Sequence, residues 1–475
     1  MFFNSIAFAV FLPIVFFLYW FVFNKNKSTQ NALLIIASYY FYSCWDWRFL
    51  FLLVFSTFLD YFTGIQIEKS NSEKGRKFWF WLSIIVNLGF LGIFKYYNFF
   101  AASFAEMATA FGFKASPILL NVILPVGISF YTFHGLSYVI DIYYKRIKAE
   151  YNFVDYSLFV SYFPLLVAGP IERATHLLPQ VKVKREFSFE KAREGVCQII
   201  WGLFKKIVVA DTCAVYANVI FDNYSSMDSL SLILGSVYFA FQIYGDFSGY
   251  SDIALGVSKL LGIDLLRNFN YPYFSRDIAE FWRRWHISLS SWFRDYVYIP
   301  LGGSKGSKLI QTRNVFIIFL ISGFWHGANW TFLMWGFINA LYFLPLLWLK
   351  KNRNNIGETK ISFNISSLKT LLNILVTFGM TCFAWIFFRA ENISTAFQYI
   401  GKILDFNLNF QNLKEQISYS VIIMLVYLVL LEWNNRKAEC PLSNKFSSIK
   451  VVITIFLILL LGEFKIKSEF IYFQF

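Results

Sequence analysis

The residues of this sequence best placed to do chemistry are histidines that stand among apolar neighbours. His326 lies inside a largely apolar run from Val315 to Leu349, and a run of that length can cross a bilayer, which takes about 20 residues. A titratable group at such a depth is costly unless it faces protein or a water-filled cavity. We therefore expect His326 to belong to a functional site, although a core histidine bonded to a backbone carbonyl would fit the same pattern.

The chemistry open to His326 is proton transfer. Its imidazole titrates near neutral pH and can accept a proton there. A base of this kind can deprotonate a hydroxyl group while that hydroxyl attacks an activated acyl carbonyl. Asn329 stands three residues later and would share a helical face with His326. From that face it could orient the imidazole or help to hold an oxyanion.

Other common catalytic and metal-binding motifs are not found in the sequence. The whole chain holds four histidines: His134, His176, His286 and His326. No His-Glu-x-x-His pair, Gly-x-Ser-x-Gly elbow or phosphate-binding P-loop occurs. The five cysteines are scattered without a Cys-x-x-Cys pair, so we expect neither a metal site nor a disulfide framework. Of the remaining histidines, we expect His134 to be structural and His176 to be solvated.

The composition is that of a membrane protein. Hydrophobic residues make up 57% of the chain and charged residues 15%, against about 45–50% and about 25% in soluble domains. Aromatic residues reach 21%, which suits a lipid-facing surface with aromatic belts. The formal net charge is +14, but the basic residues form short clusters between apolar segments. We therefore expect no nucleic-acid partner.

About ten to twelve apolar segments have the length of membrane segments. The clearer ones are 5–23, 31–45, 49–67, 78–100, 117–143, 153–170, 230–260, 315–349, 368–388, 418–432 and 449–463. Gly, Pro and acidic residues in 117–143 and 230–260 indicate re-entrant or broken helices, which must line a cavity or be buried in protein. We expect a single all-α polytopic membrane domain over residues 1–475. Its first membrane helix would be 5–23, which we do not interpret as a cleaved signal peptide.

The charges of the short loops predict an orientation. Basic residues concentrate in the loops 24–30, 68–77 and 145–148, whereas 44–48 and 103–116 hold one each. Cytoplasmic loops carry an excess of Lys and Arg. The alternation therefore places the N-terminus outside the cytoplasm and the 68–77 loop inside it, in a multi-pass protein of the plasma (inner) membrane.

A stretch at about 267–308 is too polar to span a membrane. Its apolar residues recur at three- and four-residue steps, as in one amphipathic helix: Phe281, Trp285, Leu289, Trp292 and Tyr296. We expect this helix to begin after Ser275 as N-cap and to pair Glu280 with Arg284. A basic helix rich in Trp is typical of a membrane interface.

Two histidine motifs together resemble those of a known family. The first is Phe281–Gly303, with His286 in the string FWRRWHISLSSWF, and the second is Gly323–Trp330, with His326 in the string GFWHGANW. Further similarity lies at 124–134, 163–173, 244–252 and 470–475. On these motifs the chain resembles the membrane-bound O-acyltransferase (MBOAT) family. Within that family it resembles the bacterial branch that serves alginate O-acetylation and teichoic-acid D-alanylation.

This resemblance implies a multi-helix membrane fold around a central funnel or tunnel. It implies that His326 is catalytic and that His286 is a nearby polar residue needed for activity. Trp325, Arg283 and Arg284 would support the site. We expect the segment that carries His286 to lie at the cytoplasmic interface, where Arg283, Arg284 and Arg294 can meet a phosphate-bearing donor or anionic lipid. No bound cofactor is expected. The acyl donor, acetyl-coenzyme A or an acyl carrier protein, would stand on the cytoplasmic side. An extracytoplasmic partner acetyltransferase or a polymer would receive the group.

A transporter or flippase is the alternative function. In it, His326 and the intramembrane carboxylates of Asp246 and Asp252 would relay protons, since broken helices and buried charges also occur in transporters. That alternative predicts internal repeats, which the sequence does not show, and it leaves the polar Trp–His segment unexplained. We therefore expect an O-acyltransferase, with acetyl as the group and an exported polysaccharide as the acceptor. Asp246 and Asp252 would then pair with Lys or Arg.

Overall fold

The computed structural model describes residues 1–121, 123–167, 169–357, 365–409, 413–414, 416–443, 447–464 and 470–471. These residues form helices, and no strand occurs among them. The predicted all-α fold is therefore confirmed for the described part of the chain. The C-terminal resemblance at 470–475 falls partly outside it, because 472–475 are not described.

Most helices of the described residues are joined by short connections. In chain order they are α1 Ile6–Phe17, α2 Lys27–Asp46, α3 Arg48–Lys69, α4 Glu73–Leu91, α5 Tyr97–Ala110, α6 Ile128–Tyr143, α7 Phe153–Ser161, α8 Phe163–Leu166, α9 Ala174–Val181, α10 Phe189–Leu203, α11 Asp211–Asp222, α12 Ser229–Leu260, α13 Ile278–Arg284, α14 Ile287–Phe293, α15 Lys308–His326, α16 Trp330–Trp348, α17 Ile365–Arg389, α18 Ile393–Leu404, α19 Tyr419–Asn434 and α20 Ser447–Leu461. Turns of π-helix occupy Leu18–Val22, Gly92–Tyr96, Phe204–Ala210 and Arg294–Tyr298.

The chain divides into two compact units. The first contains Met1–Gly195 and Val257–Leu266, and the second contains Val196–Gly256 and Arg267–Phe475. Both histidine motifs lie in the second unit. The expectation of one domain over 1–475 stays a prediction.

Five helices in the described part are long and apolar enough to cross a membrane: Arg48–Lys69, Glu73–Ala110, Ser229–Leu260, Trp330–Trp348 and Leu368–Arg389. Shorter apolar helices cover Ile6–Val22, Tyr419–Asn434 and Ser448–Leu461. A polytopic membrane protein is thus supported by helix length and composition. The figure of ten to twelve membrane segments stays a prediction.

Two segments, 117–143 and 230–260, were expected to contain a broken helix, and the structure gives a different result for each. Within 117–143 the helix begins only at Ile128, after Gly127 with φ of +75°. A Cβ at Gly127 would lie 1.9 Å from the carbonyl oxygen of Leu166, so a side chain there would clash. The expected break within 230–260 is wrong, because α12 runs unbroken from Ser229 to Leu260.

Ion pairs explain why α12 tolerates its carboxylates without a break. Asp246 pairs with Lys206 at 2.8 Å and Asp252 pairs with Lys205 at 2.5 Å. Gly249 lets the backbone of α12 approach that of α10, since a Cβ at Gly249 would lie 2.8 Å from the carbonyl oxygen of Gly202. The expectation that these two carboxylates pair with basic residues is confirmed.

The first unit is held by polar side chains buried between apolar helices. The Asp60 carboxylate of α3 accepts hydrogen bonds from Ser83 at 2.6 Å and from Asn87 at 2.7 Å, both on α4. Gly135 of α6 makes room for the same carboxylate, because a Cβ there would lie 1.9 Å from its Oδ2. Such interhelical hydrogen bonds and small residues are typical of helix packing in membranes.

The apolar run from 315 to 349 forms two helices. α15 ends at His326 and α16 begins at Trp330. The two helices pack closely through glycines: a Cβ at Gly323 would lie 2.2 Å from the Phe332 oxygen, and one at Gly336 would lie 2.4 Å from the Phe319 oxygen. This close packing fixes the end of α15, and with it His326.

The polar stretch at 267–308 is likewise not the single helix that its periodicity predicts. It forms α13 and α14, which are separated by Trp285 and His286. The N-cap of α13 is Asp277, whose side chain accepts from the Glu280 N–H at 2.7 Å, so the expectation of Ser275 is wrong.

The side-chain pattern of this stretch is nevertheless informative. Glu280 and Arg284 pair at 2.6 Å, as expected. The apolar stripe is buried at four of its five positions, with Phe281, Trp285, Leu289 and Trp292 each less than 7% exposed. The stripe therefore packs against protein in the second unit.

Candidate active site

His286 stands at a strained turn between α13 and α14. Its φ of +44° lies in the left-handed region, which costs a residue other than glycine about 1–3 kcal/mol. Two backbone hydrogen bonds brace the turn: Ile287 N–H donates to the Asn268 carbonyl and Asn270 N–H donates to the Arg284 carbonyl, each at 2.9 Å. Strained residues that are held in this way cluster at functional sites.

The imidazole of His286 is almost fully buried and hydrogen-bonded. Its Nδ1 lies 3.0 Å from the Asn268 Oδ1, and the residue is 1% exposed. The Phe247 ring meets it edge-on, with ring centroids 4.5 Å apart. Complete burial lowers the pKa of His286 well below its ordinary value, because desolvation disfavours the charged ring. His286 is therefore neutral near pH 7.

His326 is the last residue of α15 and is held among aromatic rings. It is 4% exposed. The centroid of its ring lies 4.9 Å from that of Trp325 and 5.2 Å from those of Trp335 and Phe388. These rings come from α15, α16 and α17, so three helices fix the position of the imidazole.

The two histidines meet at one indole. The Trp325 ring lies 5.9 Å from the His286 ring and 4.9 Å from the His326 ring, measured between centroids. Two residues 40 positions apart in sequence thus both lie beside a single side chain in the second unit. Their catalytic roles stay predictions.

The structure gives Asn329 a role different from the expected one. Because α15 ends at His326, the two residues do not share a helical face. Asn329 is instead the N-cap of α16: its Oδ1 accepts from the Thr331 N–H at 3.1 Å, and its Nδ2 donates to the Glu391 carbonyl at 2.9 Å. The helical-face argument for Asn329 is therefore wrong.

Arg283 and Arg284 occupy different environments. Arg283 donates to the carbonyls of Asn352 and Asn355 at 2.8 and 3.1 Å. Arg284 is bound to the buried Glu280, which also pairs with Arg276 at 2.9 Å. Arg284 thus neutralises a carboxylate within the protein, while Arg283 lines a cavity.

That cavity has a volume of about 580 Å³, within the usual range for small-molecule sites. Its lining includes the aromatic residues Trp282, Phe319 and Phe343 and the basic residues Arg283, Arg294, Lys350 and Arg353. Neither histidine lines it. The Trp282 ring lies 5.6 Å from the Trp335 ring, and Trp335 contacts His326 in turn. A chain of two ring contacts therefore separates the cavity from His326.

The other two histidines lie in the first unit. His134 is 1% exposed and its Nε2 accepts from the Glu172 N–H at 3.0 Å, which suits the structural role expected for it. His176 was expected to be solvated; its side chain is 36% exposed, and its Nδ1 lies 2.8 Å from a Glu172 carboxylate oxygen. This hydrogen bond raises the pKa of His176.

Sequence reasoning missed Asn268, the hydrogen-bond partner of His286, and the aromatic residues Trp335 and Phe388 around His326. A short polar string, Arg267-Asn268-Phe269-Asn270, follows α12 and was the available signal for Asn268. Nothing in the spacing of Trp335 or Phe388 distinguishes them from other aromatic residues of membrane helices.

Comparison with known proteins identifies the family of the chain. Residues 142–387 match the sequence profile of MBOAT, the membrane-bound O-acyltransferase family. This range is more than half of the chain, and it contains both His286 and His326. The chain belongs to the membrane-bound O-acyltransferase family. It is accordingly a membrane enzyme that transfers acyl groups to oxygen.

Several curated relatives are similar to this chain over more than half of its length. A probable alginate O-acetylase of Pseudomonas aeruginosa is 38% identical over 85% of this chain and 74% of its own length. A peptidoglycan O-acetyltransferase of Helicobacter pylori is 36% identical over 84% of this chain and 78% of its own. A teichoic acid D-alanyltransferase of Bacillus subtilis is 27% identical over 57% of this chain and 70% of its own.

Proposed function

We propose that this enzyme transfers an acetyl group from a cytoplasmic thioester donor toward the hydroxyls of an extracytoplasmic polysaccharide of the cell envelope. The relatives that are similar over most of the chain carry names for O-acetylation of alginate and of peptidoglycan, which supports both the group and the acceptor class. The observation that carries the proposal is the meeting of two buried imidazoles at Trp325 in a chain of the O-acyltransferase family.

In the proposed reaction His326 acts as general base. Its imidazole takes the proton of the acceptor hydroxyl while the hydroxyl oxygen attacks the acetyl carbonyl carbon. The tetrahedral intermediate then collapses, the carbon–sulfur bond breaks and the ester is formed. The proton held by the imidazolium passes to the departing thiolate, which leaves the enzyme in its starting state. Burial of the imidazole among rings excludes bulk water, which would otherwise hydrolyse the donor.

The cavity at Arg283 supports the donor side of the proposal. An acetylated pantetheine arm combines an extended thioester chain with a phosphate, and both acetyl-coenzyme A and an acyl carrier protein present that arm. The apolar lining residues Trp282 and Phe319 suit the thioester chain, and the basic lining residues Arg283 and Arg353 suit the phosphate. In this assignment the donor enters beside α13 and its thioester approaches His326 past Trp335.

The direction of transfer rests on orientation. We propose that the N-terminus is extracytoplasmic and that the loop at 68–77 is cytoplasmic, so that the donor stays inside while the acceptor, or a partner that carries the acetyl group, approaches from outside. Cysteine labelling tests this orientation. The background is Cys44→Ser, because Cys44 is the one exposed cysteine of the five. An impermeant maleimide should label Lys114→Cys in intact cells and Ser72→Cys only after lysis. The reverse pattern would contradict the direction of transfer.

The function itself is tested in cells. A strain that lacks the gene should export its envelope polymer without base-labile acetate. The wild-type gene should restore the acetate, and His326→Gln should not. A transporter or flippase predicts a different outcome, namely that the amount of exported polymer falls while its acetate content per sugar is unchanged. That second outcome would overturn the proposed function.

A further inference from the structure

The side chain of Asn268 makes a set of hydrogen bonds that fixes its orientation. Its Oδ1 faces the Ser288 N–H at 3.3 Å and the Ser288 Oγ at 2.9 Å, and its Nδ2 faces the Ser251 Oγ at 3.3 Å. A backbone N–H can only donate. The amide atom that faces the Ser288 N–H must therefore be the oxygen, and the reversed amide would set two donors against each other.

The same oxygen also faces His286. An amide oxygen only accepts, so the Nδ1 of His286, which lies 3.0 Å away, must carry a hydrogen. A neutral imidazole carries a single ring hydrogen on nitrogen, and complete burial holds this ring neutral. The hydrogen bond therefore leaves Nε2 as the accepting atom of the ring. A hydrogen bond to one ring nitrogen commonly sets the state of the other in this way.

We propose that Asn268 is a positioning residue that holds His286 in the Nδ1–H tautomer and so presents Nε2 as a hydrogen-bond acceptor within the site. The chemical consequence is that His286 Nε2 receives a hydrogen from a hydroxyl, thiol or amide. In the ground state it does not donate to an oxyanion. The task of His286 in acyl transfer is then to orient a group that donates a hydrogen bond, such as the hydroxyl that receives the acyl group. It does not stabilise negative charge.

Three features hold Asn268 and His286 in this arrangement. Asn268 and Ser288 are 1% and 2% exposed, so water does not compete for the hydrogen bonds. The Asn268 carbonyl also accepts from the Ile287 N–H, which ties the backbone of Asn268 to the strained turn at His286. Phe247 and Phe269 hold the plane of the imidazole, with centroids 4.5 and 6.3 Å away. The ring can therefore neither flip nor exchange its partner without disturbing its surroundings.

The ring nitrogens can be observed directly. In protein labelled with ¹⁵N-histidine, the two neutral tautomers differ in their nitrogen shifts, and four histidines give few signals. The His286 signal is identified by its loss in His286→Asn. We expect the wild-type signal to be that of the Nδ1–H tautomer. An Nε2–H signal in the wild type would overturn the proposal without any further variant.

Substitutions of Asn268 then separate positioning from folding. Asn268→Ala should lose the single Nδ1–H signal and lower kcat by about 10- to 100-fold, as loss of an orienting partner does elsewhere, with KM for the donor unchanged. Asn268→Asp keeps an oxygen opposite Nδ1 and should retain both the signal and most of the activity. A persistent Nδ1–H signal in Asn268→Ala, or equal losses of kcat in the two variants, would contradict the proposal.

Asn314→Ala is the matched control. Asn314 is equally buried in the same unit and donates to the carbonyls of Leu301 and Gly303. Its loss should lower stability without moving the His286 signal. The kinetic part of the test rests on the proposed function, whereas the spectroscopic part does not require turnover. An inactive wild type would therefore count against the proposed function alone, while a wrong tautomer would count against the role of Asn268 alone.

Discussion

His286 and His326 contact the same indole ring but are held in place by different means. His286 sits on a left-handed backbone and is hydrogen-bonded to Asn268, a residue 18 positions earlier in the chain. His326 ends a regular helix that packs closely on its neighbour through Gly323 and Gly336, and aromatic rings from three helices surround it.

Because the two imidazoles are held differently, we expect each of them to be disturbed by a different kind of substitution. An imidazole held by a hydrogen bond depends on the chemistry of its partner, so it responds to the loss of one oxygen atom. An imidazole held by helix packing depends on the spacing of the backbones, so it responds to the addition of one methyl group. Substitutions of the two histidines, and of the residues that hold them in place, test whether each imidazole depends on its own kind of support.

The largest effect is expected at His326. His326→Ala should lower acyl transfer by about 10²–10⁴-fold, the usual cost of losing a general base, while the protein still inserts and purifies normally. The measurement is the initial rate of acetyl transfer with purified protein. His176→Gln is the control, because it removes a histidine of the first unit that bonds Glu172. Near-normal turnover of a stable His326→Ala protein would remove His326 from the mechanism.

At His286 the backbone limits the choice of variant. His286→Asn is preferable to alanine, because asparagine tolerates the left-handed conformation at φ of +44°. This variant keeps the turn and removes the Nε2 acceptor, and we expect kcat to fall by about 10²-fold. Equal activity of His286→Asn and wild type would show that the ring at this position is structural.

Helix spacing is tested at Gly323. In Gly323→Ala the new Cβ would lie 2.2 Å from the Phe332 carbonyl oxygen, so α15 and α16 must move apart. A displacement of the imidazole by about 1 Å can cost about 10²-fold in rate, and we expect a loss of about 10- to 100-fold. Gly379→Ala on α17 is the matched control, since nothing lies within 4 Å of its Cβ. The two substitutions should differ in kcat, and similar rates would contradict the role of helix packing.

The smallest effect on activity is expected at Asn329. Asn329→Ala removes the N-cap of α16 and should cost about 1 kcal/mol of stability, whereas Asn329→Ser should restore most of it. Because the Asn329 side chain bonds Thr331 and the Glu391 carbonyl, the rate of acetyl transfer should stay close to that of the wild type. The checks are thermal unfolding and initial rate. A loss of rate as large as that of His286→Asn would restore the sequence-based role of Asn329.

The sequence predicts which histidines are buried in the second unit better than it predicts the local backbone around them. An imidazole in an apolar run points to His326 because burying such a group is costly wherever it occurs. The break after His326 was not predicted, although Gly327 at the end of α15 and Asn329 at the start of α16 are residue types that commonly mark helix ends. A Cβ at Gly327 would lie 2.1 Å from the Phe332 ring, so the break also depends on a packing contact that the sequence alone does not reveal.

The stretch around His286 shows the opposite limitation. Its three- and four-residue periodicity is real, since its stripe is buried, yet the periodicity persists across the interruption at Trp285 and His286. The interruption depends on backbone hydrogen bonds to Asn268 and Asn270, which come from outside the helical pattern. Long-range partners of this kind fix the site, and a single sequence does not reveal them.

The most direct test of the central claim uses purified protein in lipid nanodiscs with donor labelled in its acetyl group. The acceptor polymer, or a partner that receives the group, is supplied on the other side. We predict label in base-labile ester on the acceptor, with loss of label transfer in His326→Ala and full transfer in His176→Gln. Transfer that persists in His326→Ala, or no transfer by wild type with donor, acceptor and partner all present, would contradict it.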